Sequence, residues 1–221
     1  MQDTGPGRAT SRGFKKKERT RRQLVQAAVD EIAASGEAFT ILDVTKRADV
    51  SNGTFYNHFD DRDALIDAVV AEVLTSFTDT SDELVRFDDP VRRFATVTAL
   101  LLEHSVANPQ LATVLLRLQS LAPGGSSGVD PFHHLRRDLS DAVEQGRLTR
   151  RPTDAVVDLT IGALFRAVHR LTTEGAPTGY RVELLHMLLE TLGLEPGEAA
   201  EIAADAVAAA HGIDEAFPAA T

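Results

Sequence analysis

The sequence predicts an all-α fold: a three-helix helix-turn-helix unit at the N-terminus, then a longer helical body. Three observations carry that prediction. Apolar residues recur three and four apart in one segment after another, the spacing of a single helix face. Residues that start or stop helices fall between those segments. No stretch alternates apolar and polar residues as a half-buried strand would. Composition agrees, since 43% of the 221 residues are apolar and 25% charged, the balance of a folded globular chain. One body of this length would remove roughly 70% of its unfolded surface from water, so a sizeable core is available.

The first helix is expected from Lys17 to Ser35, where Leu24, Val25, Ala28 and Ile32 share a face and Gly36 supplies the stop. Thr40, with Asp43 three residues on, is an N-cap signal that opens a short second helix through Ala48. Asp49, Val50 and Ser51 form the turn, and Ser51 caps a third helix, NGTFYNHF. A fourth begins at Asp60 and carries the stripe Leu65, Ile66, Val69, Val73, Leu74 and Phe77. Two short helices joined by a tight turn, behind a longer one, have the layout of a helix-turn-helix. A fifth helix opens near Pro90 and ends before Pro109, and Leu111, Val114, Leu115 and Leu118 mark a sixth. The stretch APGGSSGVDP, residues 122–131, is a mobile linker by composition. Helices at 131–146, 153–175, 179–193 and 196–211 complete the chain. The resulting division is a flexible basic tail over 1–16, a helix-turn-helix domain over 17–60 and a helical body over 61–221.

The net charge of −10 is unevenly spread. Residues 1–22 hold eight Lys and Arg against Asp3 and Glu18, whereas residues 61–221 hold 13 basic and 25 acidic residues. A polyanion-binding end on an otherwise acidic body follows from that asymmetry. A protein that coats DNA without sequence preference would need basic surface over much of its body, so a structural DNA-compacting protein is the weaker alternative. No apolar run approaches the roughly 18 residues of a membrane span, and the basic start lacks the apolar segment of a secretory signal, which points to the cytoplasm. Without Cys there are no disulfides or thiolate metal sites. No metal-ligand motif appears either, and the adjacent His133 and His134 would point about 100° apart on a helix. Neither an enzyme nor a cofactor is expected.

The window ADVSNGTFYNHFDDRDAL, residues 48–65, concentrates the functional signal. Phe55 and Phe59, four apart, share the face that anchors a helix to a core, which leaves Thr54, Asn57 and His58 on the opposite face. Gly53 has no Cβ, so the backbone there can approach a partner closely. Thr40, Val44, Ala48, Val50, Ser51, Gly53, Thr54, Phe55, Tyr56, His58, Phe59, Arg62 and Leu65 together resemble the DNA-binding signature of the tetracycline-repressor (TetR) family of transcriptional regulators. Two positions depart from it: Asp49 stands where the family usually has Gly, and Thr45 where Ala is common. Asp tolerates the left-handed conformation better than most residues, so the turn is expected to survive.

The resemblance implies that Tyr56, His58 and Arg62 hold backbone phosphates, while Asn52, Thr54 and Asn57 are the candidates for base edges. Thr40 and Ser51 join that surface as helix caps, and Lys46 and Arg47 as further cations. It also implies a homodimeric regulator, more often a repressor than an activator, released from a palindromic operator by a small-molecule effector that shifts the fourth helix. DNA binding would then belong to 17–60, and ligand binding and dimerisation to 61–221. Phe94, Leu101, Leu115, Phe132, Ile161, Leu164, Phe165 and Val168 are the candidates to line an effector cavity for a largely apolar molecule, with His104 as its polar member. On the helix at 153–175, Gly162, Ala163, Arg166, His169 and Arg170 cluster opposite the apolar face. Glu183, Leu184, Met187 and Glu190 lie outside the apolar face of the next helix. By resemblance these two helices form the dimer interface, with Arg166 or Arg170 pairing to Glu183 or Glu190 of the second copy.

Overall fold

The computed structural model describes residues 7–35, 38–118 and 132–214. Its helices are α1 (Gly7–Ser35), α2 (Ile41–Arg47), α3 (Asn52–Tyr56), α4 (Arg62–Leu84), α5 (Pro90–Ala107), α6 (Pro109–Leu118), α7 (His133–Glu144), α8 (Asp154–His169), α9 (Tyr180–Thr191) and α10 (Pro196–Asp214). A π-helical turn, Arg170–Glu174, continues α8. There is no strand among the described residues, so the all-α expectation holds. Among them no helix is long and apolar enough to cross a membrane. The stop at Gly36 and the linker at 122–131 lie outside the described residues.

The chain divides into two compact units, Met1–Glu72 and Val73–Thr221, so the division falls inside α4 rather than at residue 60. In the first unit α1 starts at Gly7, ten residues before the expected start at Lys17, and residues 7–16 are helical rather than a flexible tail. The sequence explains this: the prolines nearest to α1 are Pro6, just before it, and Pro90, far beyond it, so only Gly13 weighs against an early start. Helix α3 is shorter than expected. After Tyr56 the chain turns, with the His58 amide donating to the Phe55 carbonyl at 2.8 Å. Phe55, fully buried, packs its ring 5.7 Å from Phe59, and Leu24, Val44, Leu65 and Val69 complete the core around them.

Local sequence sets the turn between α2 and α3. Thr40 and Asp43 close a reciprocal capping box at the start of α2: the Thr40 amide donates to Asp43 Oδ2 at 2.9 Å, and the Asp43 amide to Thr40 Oγ1 at 3.2 Å. Asp49 ends the turn at φ 53°, in the left-handed region expected of it. Ser51 Oγ then accepts from the Thr54 amide at 3.1 Å and caps α3.

In the second unit α5 is the hub, packing against α6, α7, α8, α9 and α10. Asp89 caps it, with Pro90 at its first position, where a missing N–H costs nothing. Small residues of α10, Ala199, Ala203, Ala206 and Ala210, are buried, which lets that helix lie close to its neighbours. Arg92 of α5 reaches Glu201 and Asp205 of α10 at 3.0 and 2.9 Å.

Candidate nucleic-acid interface and an apolar cavity

The outer edge of the helix-turn-helix is built from residues that the core does not use. Asn52, Gly53, Tyr56 and Asn57 are exposed, and Thr54 is half-buried with its hydroxyl 3.0 Å from Ser51 Oγ. Tyr56 stands edge-on to the Phe55 ring at 5.2 Å and is 58% exposed, so the core holds its base while its hydroxyl is left in solvent. The Arg62 guanidinium lies over the Phe39 ring at 4.3 Å, a stacking that fixes a cation at the start of α4. A Cβ added at Gly53 would meet nothing nearer than Ser51 Oγ at 3.8 Å, so the fold does not require a glycine there.

Other expected members of this surface are placed differently. His58 does not share a free face with Thr54 and Asn57: it follows the end of α3, is half-buried, and has its Nδ1 sealed off without a partner. Burial, together with the positive charges of Lys17 and Arg21, holds its pKa below the ordinary histidine value, so at neutral pH it can offer only an uncharged ring. Arg47 is tied back to Glu31 of α1 at 2.7 Å, whereas Lys46 stays exposed. The Thr40 hydroxyl is taken up by Asp43 Oδ2 at 2.6 Å.

The second unit holds an apolar cavity of about 100 Å³, to which Phe94, Leu101, Leu115, Phe132, Ile161, Leu164, Phe165 and Val168 all contribute. His104 is not part of its wall. It lies one turn beyond Leu101, stacked on Phe77 at 6.4 Å with its Nε2 3.5 Å from Asn108 Nδ2. The polar wall comes instead from Thr78, Thr98, His134 and Asp138, which periodicity alone did not reveal. The His133 and His134 rings, expected to diverge, approach to 3.8 Å at the start of α7. Among the described residues no group of His, Cys, Asp or Glu is placed to hold a metal ion.

Asp138 is the unusual member of that wall. It is only 4% exposed, and Arg137 Nη2 lies 3.1 Å and Arg93 Nη2 3.6 Å from its Oδ1. Burial nevertheless outweighs these cations and pushes the carboxyl up from 3.8 to about 6. A carboxyl raised in this way favours the fold below its unfolded pKa, and the contribution is lost as pH rises through about 6. Asp138→Asn, which carries no charge at any pH, is therefore expected to gain stability relative to the parent between pH 4 and pH 7. The gain is up to about 3 kcal/mol, at 1.4 per pKa unit. Denaturant unfolding at the two pH values measures it, and an unchanged difference between variant and parent refutes the assignment.

On α8 and α9 some apolar side chains face outward. Leu159 is 56% and Met187 60% exposed, and a Cβ at the exposed Gly162 would meet nothing within 4 Å. Ala163 and Leu184 are half-buried, and Glu183 is exposed. Within the single chain Glu174 collects Arg166 at 3.0 Å, His169 at 3.5 Å and Arg170 at 3.8 Å, the three basic side chains expected on the dimer face. Arg170 also lies 5.8 Å from the Tyr180 ring, and Glu190 is 3.3 Å from His186. The sequence could not show this, because it is the π-helical turn that carries Glu174 back onto α8.

Two family models match the chain: Bacterial regulatory proteins, tetR family, over residues 24–69, and Tetracyclin repressor-like, C-terminal domain, over residues 89–205. Among solved structures, the chain is similar to RolR in complex with the ligand resorcinol, at 28% identity over 86% of this chain and 95% of that one, with a TM-score of 0.63. It is similar in fold to tylp, a tetR regulator from Streptomyces fradiae, at 24% identity over 89% and 98% of the two chains, with a TM-score of 0.58. A gamma-butyrolactone receptor described as ArpA-like shares the fold at 21% identity over 91% and 99%, with a TM-score of 0.54. No curated protein sequence matches the chain.

Proposed function

Because the chain belongs to the tetR family of DNA-binding transcriptional regulators, we propose that it is a cytoplasmic, homodimeric repressor that leaves a palindromic operator when a single-ring organic molecule enters its cavity. The observation that carries the DNA-binding part is the outer edge of α3: Asn52, Gly53, Tyr56 and Asn57 stand in solvent, and the fold does not require a glycine at position 53. Tyr56 and Arg62 are the phosphate-positioning pair, with Lys46 as a further cation, and Asn52, Thr54 and Asn57 face the bases. His58, uncharged, is left to steady the end of α3 and donate at most a neutral hydrogen bond.

The cavity supports the choice of effector by size and polarity. A dry cavity of about 150 Å³ lined by Leu, Ile and Phe holds one benzene, so about 100 Å³ suits one ring after small side-chain adjustments rather than a long-chain ligand. Its polar wall favours a ring bearing hydroxyl donors, because Asp138 and Thr98 can accept from them. RolR, solved with resorcinol, binds a molecule of that kind. Since α4 carries Leu74, Phe77 and Thr78 of the cavity and also Arg62, it is the element through which filling the cavity is conveyed to DNA.

The test is to select an operator from DNA flanking the coding region or from a randomised pool, then titrate the complex with phenol, resorcinol and catechol beside long-chain lactones. Release by single-ring phenols is expected; release by the long-chain compounds alone overturns the effector assignment. A companion expectation separates folding from binding at Gly53. Gly53→Ala should leave stability equal or raise it by about 0.5–1 kcal/mol while weakening operator binding at least tenfold. Thermal melts and a gel-shift titration read the two arms, and an Ala variant that binds like the parent shows that no close backbone approach occurs.

A further inference from the structure

Thr45 departs from the family pattern, in which Ala is common, and the structure gives the change a consequence. The residue is 2% exposed on the inner side of α2, and its Oγ1 lies 2.9 Å from Oδ1 of Asn52, the first residue of α3. The Leu42 carbonyl is also within reach, at 3.1 Å. A hydroxyl has one proton to donate, and the shorter approach is to the carboxamide. Alanine at position 45 would leave that carboxamide free to rotate.

We propose that Thr45 is a positioning residue for sequence recognition: by holding Asn52 Oδ1 it turns the amide N–H groups of Asn52 outward, so that Asn52 presents donors to the DNA. This rests on the DNA-binding reading above. Donors facing the major groove find acceptors on three bases, N7 of adenine, N7 and O6 of guanine, and O4 of thymine, whereas cytosine offers only its N4 donor. The base opposite Asn52 is therefore any base but cytosine, disfavoured by roughly tenfold or more. A chain with Ala at position 45 would lack this exclusion, because the freed carboxamide can turn its oxygen toward the cytosine amino group. Thr45 touches no base itself and acts only through Asn52.

The experiment uses the full-length protein and a selected operator varied to each of the four bases at every position. Asn52→Ala identifies the position that Asn52 faces. At that position the parent and Thr45→Ser, which keeps the hydroxyl, should reject cytosine. Thr45→Val, which keeps the shape without the hydroxyl, should accept all four bases within about threefold, at unchanged affinity for unrelated DNA and unchanged melting temperature. Thr45→Ala gives the same relaxation if Thr45→Val packs poorly. A parental base profile in both Thr45→Val and Thr45→Ala, with Asn52→Ala altered, overturns the inference and leaves the regulator reading intact. An unaltered profile in Asn52→Ala also overturns it, by removing Asn52 as the reader. Failure of the parent to select any sequence removes the inference and the regulator reading together.

Discussion

Leu159→Glu combined with Met187→Glu is expected to turn the proposed homodimer into monomers and to weaken operator binding by 100-fold or more, roughly the lower end of what linking two half-site contacts contributes. Both side chains stand mostly in solvent in the single chain, at 56% and 60% exposure, so replacing them leaves the core untouched. One exposed Leu is ordinary on any surface. What sets α8 apart is that Leu159 is followed, three residues on, by a glycine whose missing side chain leaves open space. In mid-helix that glycine costs about 1 kcal/mol relative to Ala, and close approach of another helix accounts for it. Covering Leu159 and Met187 would stabilise the dimer by about 1.5–3 kcal/mol each, whereas a buried unpaired carboxylate opposes it by more than that. Light scattering and an operator titration read the outcome. A dimer with parental affinity would place the interface on other helices, and Gly162→Leu gives an independent check on the same face.

Phe55→Ala should abolish operator binding while leaving effector binding in place. The ring is fully buried and in contact with Tyr56 and Phe59, so its loss costs about 3–5 kcal/mol, a large share of what a small helical unit possesses. The chain divides into two compact units after Glu72, and the cavity residues all lie beyond that division. Hydrogen exchange should then show loss of protection in α1 to α3 and in α4 up to Glu72 alone, and calorimetry with a phenolic ligand should still report binding. Loss of protection throughout the chain would show that the two units fold as one.

The helices were legible because their signals are local. Thr40 with Asp43, Ser51 before NGTFY, and Pro90 after Asp89 each announce a helix start within four residues, and each does so in the structure. The apolar wall of the cavity was legible for the same reason, since inward-facing residues of α5 and α8 repeat at helical spacing. Its polar wall was not. Asp138 and His134 sit on a helix with many charged residues, and only the packing of α5 against α7 shows which of them turn inward. His104 has the right spacing after Leu101 and still misses the cavity, because spacing fixes a position on its own helix and not where a cavity between helices ends. The Glu174 cluster depends on a widened turn that has no local sequence signature, which is why its gathering of Arg166 and Arg170 within the chain was not foreseen.

The chain has no Trp and only two Tyr, one exposed on α3 and the other opening α9 near Arg170. The molecule is thus its own optical instrument. Emission excited at wavelengths beyond the phenylalanine absorption band comes from Tyr56 and Tyr180 alone, so Tyr180→Phe leaves a single tyrosine fluorophore at the α3 edge and Tyr56→Phe a single one in the helical body. Titrating the first with DNA and the second with effector follows the two events separately in unlabelled protein, and a signal from Tyr56 on addition of effector alone would time the passage of the message between them.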